Sequence, residues 1–145
     1  MKEYEALHLV KSEDLNHHGT LFAARGAAWM IEAGFTTAAC EHGNTDEVVL
    51  RNINNVSYSK PVQKGSIVKF TSRVVYAGST SLVVCVMGKN ALTDEVAIEG
   101  YLTFVTIDAT TAGKKEHGIL LDETTDEEEL RQRERALTLR RDSVK

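Results

Sequence analysis

The sequence contains little proline, cysteine or aromatic residue. Its 145 residues include one proline, two cysteines and 6% aromatic residues. No pair of cysteines and no Cys/His cluster has the spacing of a zinc site, so we expect no metal. Cys40 and Cys85 are far apart and each lies in an apolar run, which predicts two buried free thiols.

An excess of positive charge is also absent. The net charge is −4 and the pI is near 5.7, which argues against a nucleic-acid partner or an anionic membrane surface. The first ten residues, MKEYEALHLV, carry acids where a signal peptide would carry its positive and apolar regions. We therefore expect a cytoplasmic protein with no membrane partner.

One long apolar segment spans residues 22–40, FAARGAAWMIEAGFTTAAC. It is rich in alanine, has no proline, and is apolar on nearly every side, which predicts a helix that is buried on most sides. The charges of Arg25 and Glu32 and the two glycines make a membrane span a poor fit. Gly43 suits the left-handed position that ends such a helix.

Long β-branched runs separated by turns follow the helix. Strands are expected at residues 47–58, 67–76, 81–89 and 96–107. Residues 4–11 form a first strand, although this segment also tolerates a helix. A single apolar helix beside such strands predicts an α+β fold, in which one curved antiparallel sheet covers the helix in a single domain, 1–122.

The composition changes at residues 123–145, where acids come first and arginines last. This order suits the helix dipole and predicts a charged C-terminal helix with Thr125 or Asp126 as its N-cap. We expect this tail to play little part in the chemistry, and we expect its removal to leave the fold largely intact.

Four motifs in order resemble those of the hotdog-fold acyl-CoA thioesterases. The family's N-x-x-G-x-x-F/H-G-G, followed by W-M-D-E-A, corresponds to residues 16–24 and 29–33. Its F-x-x-P-V-x-x-G-D loop corresponds to residues 58–66, its G-x-T-S turn to residues 78–81, and its acid-then-arginine tail to residues 125–141.

The resemblance implies the hotdog fold, in which a curved antiparallel sheet wraps one long central helix. It also implies hydrolysis of acyl-CoA to free CoA and a carboxylic acid, with no cofactor other than the coenzyme A of the substrate. It further implies a homo-oligomer, at least a dimer and more often a tetramer or hexamer, with the site between subunits.

Two departures from the family pattern bear on catalysis. The Gly-Gly pair is replaced by Ala23-Ala24, and the catalytic aspartate falls on Ile31. Glu32 is the nearest remaining acid, and it either pairs with Arg25 on the same helix face or replaces the aspartate as general base. Two further alternatives stay open: a weak catalyst that binds acyl-CoA, and a hotdog hydratase or dehydratase using a histidine.

The predicted catalytic residues are Asn16, Ala24 and Glu32. A helix start offers free N–H groups and a positive dipole end, which stabilise an oxyanion. By resemblance, Asn16 lies beside the thioester and Ser79–Ser81 lie near the pantetheine or nucleotide. The predicted substrate-binding residues are His17, Gly19, Thr20, Phe22, Ala23, Lys60, Ser79, Thr80 and Ser81. Further basic candidates for the CoA phosphates are Arg51, Lys64 and Arg73.

Overall fold

The computed structural model describes residues 1–143, with side chains described as far as Arg141. In chain order the main elements are β1 (Tyr4–Leu9), α1 (Ala23–His42), β2 (Val48–Tyr58), β3 (Ile67–Ala77), β4 (Ser81–Asn90), β5 (Val96–Thr106) and α2 (Glu127–Ser143). The predicted strands and both helices are confirmed to within a few residues. The first segment, which also tolerated a helix, is a strand.

The five strands form one antiparallel sheet in the order β1-β3-β4-β5-β2. The three central strands, β3, β4 and β5, pair along most of their length, and β1 and β2 form the two edges. α1 lies across the inner face of this curved sheet and α2 lies on the outer face. This is the predicted α+β hotdog architecture.

The central helix lies directly on the sheet because small residues face it. Gly34 is buried, and a Cβ at this position would collide with Cδ1 of Leu102. On the sheet side, a Cβ at Gly100 would lie 2.7 Å from Sδ of Met30. Helix and sheet therefore approach each other closely at these two positions.

The opposite side of α1 is exposed, contrary to the prediction of burial on most sides. Ala24, Ala28, Glu32, Thr36 and Cys40 are all exposed, at a spacing of four residues. One sheet can cover only one side of a helix, and small residues expose little apolar surface on the other. The predicted burial of Cys40 is therefore wrong.

The second cysteine is buried as expected. Cys85 points to the outer face of the sheet, where burial raises the pKa of its thiol to about 12. It packs in a second apolar cluster with Val83 and Tyr101.

The C-terminal helix covers this outer cluster. Ala136, Gln132 and Glu129 are buried, and Arg73 of β3 donates from Nε to Oε1 of Gln132 at 2.8 Å. Asp126 caps the helix by accepting the N–H of Glu129 at 2.8 Å, as one of the two predicted caps. The helix is thus part of the packed structure and not only a charged tail.

The edge strand β2 is irregular. Its pairing with β5 shifts register between Leu50 and Asn52 and again between Asn54 and Ser57. Asn55 lies within the second shift with φ of 53°, in the left-handed region. These shifts break the ladder of β2 into segments.

The end of α1 is fixed by a glycine and by a buried carboxylate. Gly43 adopts φ of 92° and donates its N–H to the carbonyl of Ala39 at 2.7 Å, as predicted. Just beyond, Glu47 accepts from Nζ of Lys115 at 2.5 Å and lies 2.9 Å from Nε2 of His42. The hydrogen bonds from Lys115, and then from His42, lower the pKa of Glu47 below its ordinary range.

Candidate active site

The loop before the central helix is folded around Asn16. Its Oδ1 accepts the N–H groups of His18 at 2.8 Å and Thr20 at 3.2 Å. Its Nδ2 donates to Oγ1 of Thr20 at 3.1 Å and to the carbonyl of Leu21 at 3.4 Å. Gly19 completes the turn with φ of 81°. Asn16 therefore holds the loop in shape, with both of its amide N–H groups engaged inside it.

The start of α1 is anchored by neighbouring backbone. Phe22 donates its N–H to the carbonyl of Asp14, and Leu21 donates to the carbonyl of Val62, both at 2.8 Å. Phe22 is the N-cap, and its side chain, 51% exposed, makes no capping hydrogen bond. These two hydrogen bonds thus fix the position of the helix start relative to Asp14 and Val62.

Ala23 and Ala24 present the free donors of the helix. The N–H groups of Arg25 and Gly26 donate to the carbonyl of Phe22 at 3.0 and 3.1 Å. Those of Ala23 and Ala24 have no acceptor within the helix, and both residues are exposed. Two adjacent N–H groups at the positive end of a helix are suited to hold an oxyanion.

A cavity of about 240 Å³ adjoins this helix start. Its lining residues are Asn16, Thr20, Leu21, Ala23, Tyr58, Ser59, Lys60, Pro61, Val62 and Ile98. Four predicted site residues, Asn16, Thr20, Ala23 and Lys60, are therefore brought together. None of the lining residues is acidic, so the cavity in one chain supplies donors and apolar walls but no general base.

Tyr58 joins the edge strand β2 to the helix start. Its hydroxyl donates to the carbonyl of Ala23 at 2.8 Å. Its ring also lies near Gly26, where a Cβ would be 3.9 Å from Cε1 of Tyr58. Partial burial raises the pKa of Tyr58, which keeps the hydroxyl protonated as a donor.

Arg25 does not pair with Glu32. Nε of Arg25 lies 3.6 Å from Oδ1 of Asp14, whose side chain is 4% exposed. Oδ2 of Asp14 accepts the N–H of Lys11 at 2.9 Å. The pairing of Arg25 with Glu32 that sequence allowed is wrong, because the buried carboxylate of the preceding loop is the nearer partner.

Glu32 lies on the β1 side of the central helix. It lines a small cavity of about 80 Å³ with Tyr4 and His8 of β1, where the ring of His8 stacks on Trp29 at 4.4 Å. Glu32 comes nine residues after Ala23, and at 100° per residue this places the two side chains on opposite sides of the helix. Within one chain, Glu32 is therefore remote from the cavity at the helix start, and it has no ion-pair partner among the residues described.

Ile31 lies on a different side of the helix from Glu32. It is half-buried and packs against the main core. Eight residues from Ala23 place it about 80° around the helix from that residue. Ile31, which corresponds to the family's aspartate, therefore lies closer than Glu32 to the side of α1 that carries Ala23.

Thr80 and Ser81 line a larger cavity of about 530 Å³ on the outer face of the sheet. Three cations, Arg51, Lys114 and Arg140, also line it, and no acidic residue does. The cavity reaches Asn54 of β2, four residues before Tyr58, a separation of roughly 13 Å along the strand. The two cavities thus open along the same edge strand.

The other predicted binding residues lie apart from these cavities or are engaged elsewhere. His17 and His18 are exposed in the loop, with ring centroids 3.9 Å apart. Ser79 is exposed at its turn. Lys60 pairs with Glu95 at 2.6 Å, although it also lines the helix-start cavity.

Arg73 and Lys64 differ in their availability to a ligand. Arg73 is 9% exposed and is surrounded by acids, Glu3, Asp126 and Glu129, at 3.6 to 3.9 Å. The ion pairs with Asp126 and Glu129 hold Arg73 against the start of the C-terminal helix. Lys64 is exposed in the loop before β3 and lines neither the helix-start cavity nor the outer-face cavity.

Sequence reasoning missed Tyr58, Asp14, Lys114 and Arg140. Tyr58 stands where the resembling motif has phenylalanine, so the added hydroxyl was a visible signal. Asp14 lies two residues before Asn16 in a polar loop, and no local pattern marked it as buried. Lys114 and Arg140 are brought to Arg51 only by the folding of distant segments.

Neither helix, within residues 1–143, is long and apolar enough to cross a bilayer. In the same part of the chain, no three side chains of His, Cys, Asp or Glu are gathered where they could hold a metal ion.

Comparison with known proteins gives one family match. A family described as the thioesterase superfamily matches residues 18–97, a little more than half of the chain. No curated protein sequence matches the chain.

Several solved structures are similar over nearly the whole length. An acyl-CoA hydrolase from Staphylococcus aureus, in complex with butyryl-CoA, CoA and CoA disulfide, is 26% identical with a TM-score of 0.79, covering 98% of this chain and 87% of that one. An apo hexameric acyl-CoA thioesterase is 27% identical with a TM-score of 0.78, covering 97% and 89%. A Bacillus cereus acyl-CoA hydrolase, 22% identical with a TM-score of 0.77 and covering 94% and 82%, shares the fold.

Proposed function

Because this chain belongs to the thioesterase superfamily, we propose that it hydrolyses acyl-CoA thioesters to free CoA and a carboxylic acid. The similar structures include an acyl-CoA hydrolase and an acyl-CoA thioesterase at 26% and 27% identity. The proposed substrate is a small-molecule acyl-CoA, and coenzyme A enters only as part of that substrate.

The observation that carries this proposal is the exposed start of α1 beside a cavity. The thioester carbonyl would lie against the N–H groups of Ala23 and Ala24, which have no acceptor in the helix. As water attacks, negative charge develops on this oxygen and the two donors stabilise it more than they stabilise the neutral carbonyl. Asn16 supports this arrangement by holding the loop that leads to the donors.

The acyl group would be short. The helix-start cavity holds about 240 Å³, less than the ~300–1,000 Å³ of ordinary drug-sized pockets. At Gly34 and Gly100 the helix and the sheet approach so closely that even a Cβ would collide with Leu102 or Met30. A long acyl chain therefore has no room inside one chain.

The nucleotide end of CoA would bind in the cavity on the outer face. Arg51, Lys114 and Arg140 contribute positive charge to its lining, and Thr80 and Ser81 contribute hydroxyl groups. Phosphate oxygens are well matched by such donors. The pantetheine arm would follow the β2 edge from this cavity toward Tyr58.

The general base would come from an assembly of copies. We propose a homo-oligomer, at least a dimer formed along the β2 edge, where Val49, Ile53 and Tyr58 are 42%, 43% and 47% exposed. A hexamer is the favoured state because a similar structure is hexameric. Glu32, on the exposed side of α1, would serve as base only when a second copy completes the site.

The direct test is release of free CoA, measured with a thiol reagent, across acyl-CoAs from acetyl to palmitoyl. We expect turnover that is highest for the short acyl groups. Light scattering at micromolar concentration should give an oligomer. A monomer that releases no CoA from any substrate would contradict the proposal.

A further inference from the structure

Among the described residues, the hydroxyl of Tyr58 is the side-chain group that hydrogen-bonds to the carbonyl of the first helical residue. It donates to the carbonyl of Ala23 at 2.8 Å and so joins the last residue of β2 to the first residue of α1. The two residues are 35 apart in sequence. The hydrogen bond therefore fixes a helix end against a sheet edge and not merely a local turn.

The start of α1 needs this additional restraint. Its N-cap, Phe22, makes no side-chain capping hydrogen bond, and a helix end without a cap frays readily. On the opposite side, Asp14 holds the entering chain through its carbonyl and its contact with Arg25. Tyr58 supplies the restraint on the cavity side, next to the two free donors.

The hydroxyl is also an addition relative to the motif that this chain resembles. That motif has phenylalanine at the position of Tyr58 and Gly-Gly at Ala23-Ala24. The ring of Tyr58 fills the same apolar wall, together with Ile98 and Val62. What the tyrosine adds is the hydrogen bond to Ala23, directly at the proposed oxyanion donors.

We propose that Tyr58 is a positioning residue for thioester hydrolysis, whose hydroxyl holds the first turn of α1 so that the N–H groups of Ala23 and Ala24 stay aimed at the thioester oxygen. This inference rests on the proposed hydrolysis of acyl-CoA. Because donors of this kind act most strongly in the transition state, their misplacement lowers kcat more than it changes KM.

The test is the Tyr58→Phe variant, which removes only the hydroxyl and restores the residue of the resembling motif. We expect kcat for a short acyl-CoA to fall roughly tenfold, since a small misplacement of reacting groups is costly, with KM changed less than about twofold. The matched control is Tyr101→Phe, which removes a buried tyrosine hydroxyl bonded to Glu99 at 3.4 Å on the outer face. It should leave kcat unchanged.

Amide hydrogen exchange gives a readout that does not depend on activity. In Tyr58→Phe we expect several-fold faster exchange at residues 25–27, in the first turn, and unchanged exchange at residues 37–39. In Tyr101→Phe neither segment should change. An undisturbed first turn in Tyr58→Phe would overturn the proposed clamp.

The two proposals can fail separately. Wild-type protein that releases no CoA would overturn the proposed hydrolysis, while the exchange measurement would still decide whether Tyr58 holds the helix start. Normal CoA release with an unchanged kcat in Tyr58→Phe would overturn the positioning role alone. A raised KM at unchanged kcat would also overturn it, because it would indicate a binding contact instead.

Discussion

The guanidinium of Arg25 lies 3.6 Å from the buried carboxylate of Asp14, so Glu32 is left without a partner in the described part of the chain. Glu32 is exposed, and its replacement should change the free energy of unfolding by less than about 0.5 kcal/mol. If Glu32 of a second copy is the base, Glu32→Gln should lower kcat by about 10²–10⁴-fold. Thermal unfolding and CoA release, measured on the same preparation, test both expectations.

A second glutamate of the same helix, the partly exposed Glu41, serves as the control for that variant. Glu41→Gln, near the end of the same helix, should leave CoA release unchanged. Full activity of Glu32→Gln would exclude Glu32 as the base and direct the search to the His17–His18 loop.

Aspartate at position 31 should restore activity to the Glu32→Gln variant. Ile31 lies nearer the helix-start side than Glu32, at the position of the acid in the resembling family. We expect Ile31→Asp in that background to raise CoA release roughly tenfold, at a cost in stability for a half-buried carboxylate. Ile31→Asn, which has nearly the same shape without the charge, should give no gain, and equal activity of the two would refute a catalytic role for the new acid.

The buried face of α2 should be required for stability. Ala136 has no exposed surface and packs with Val75, Val83 and Tyr101 on the outer face of the sheet. Ala136→Asn places an amide there and should lower the free energy of unfolding by about 2 kcal/mol or more. Arg135→Asn, at the exposed neighbouring position, should cost far less in urea unfolding, and equal costs would mean that the helix is not firmly packed.

Protonation of Glu47 should contribute to loss of stability in acid. Its pKa is lowered from 4.5 by Lys115 and His42, so the folded state favours the charged form. The stability that this group contributes is present above about pH 4.5 and is lost as the pH falls through the lower folded-state pKa. Glu47→Gln should therefore be less stable near neutral pH and should show a shallower loss of stability below pH 4.5.

The comparison for this measurement is Glu116→Gln, at an exposed position. It should follow the wild-type curve of unfolding free energy against pH. A Glu47→Gln curve parallel to that of the wild type would contradict the role given to this carboxylate.

Replacement of Arg51 should raise KM only for substrates that carry a nucleotide. Arg51→Gln should raise KM for acyl-CoA roughly tenfold, as expected from losing a charge-assisted hydrogen bond of ~1.5 kcal/mol. It should leave acyl-pantetheine, which lacks the phosphates of the nucleotide, unaffected. Lys64→Gln should change neither substrate, and an equal effect of Arg51→Gln on both substrates would remove the outer-face cavity from the binding site.

Sequence periodicity predicted the fold well because its signals are local. The apolar run at 22–40, the glycine at position 43 and the β-branched strands each depend on nearby residues. The two errors along α1 have a common cause. Composition shows that a segment is apolar, but the number of layers that cover it depends on the tertiary fold, so Cys40 and the small residues on the same side of the helix are exposed.

Apart from Lys60, the candidate site was predicted only where it is contiguous in sequence. Asn16, Thr20 and Ala23 come together because they surround one helix start. Arg25 pairs with Asp14 of the preceding loop. The carbonyl of Ala23 accepts a hydrogen bond from Tyr58 of an edge strand. Which acid or hydroxyl reaches a given atom is decided by side-chain packing, which a linear pattern does not record.

The broken edge of β2 has a consequence for how copies of this chain recognise one another. An unbroken edge strand accepts any added strand in many registers and can lead to open-ended aggregation. Here two register shifts, the second of which contains Asn55, divide the edge into short segments. In the proposed dimer, two copies related by a twofold axis would align their interruptions in only a few registers, so the same irregularity that disfavours indiscriminate strand addition would also favour a closed pair.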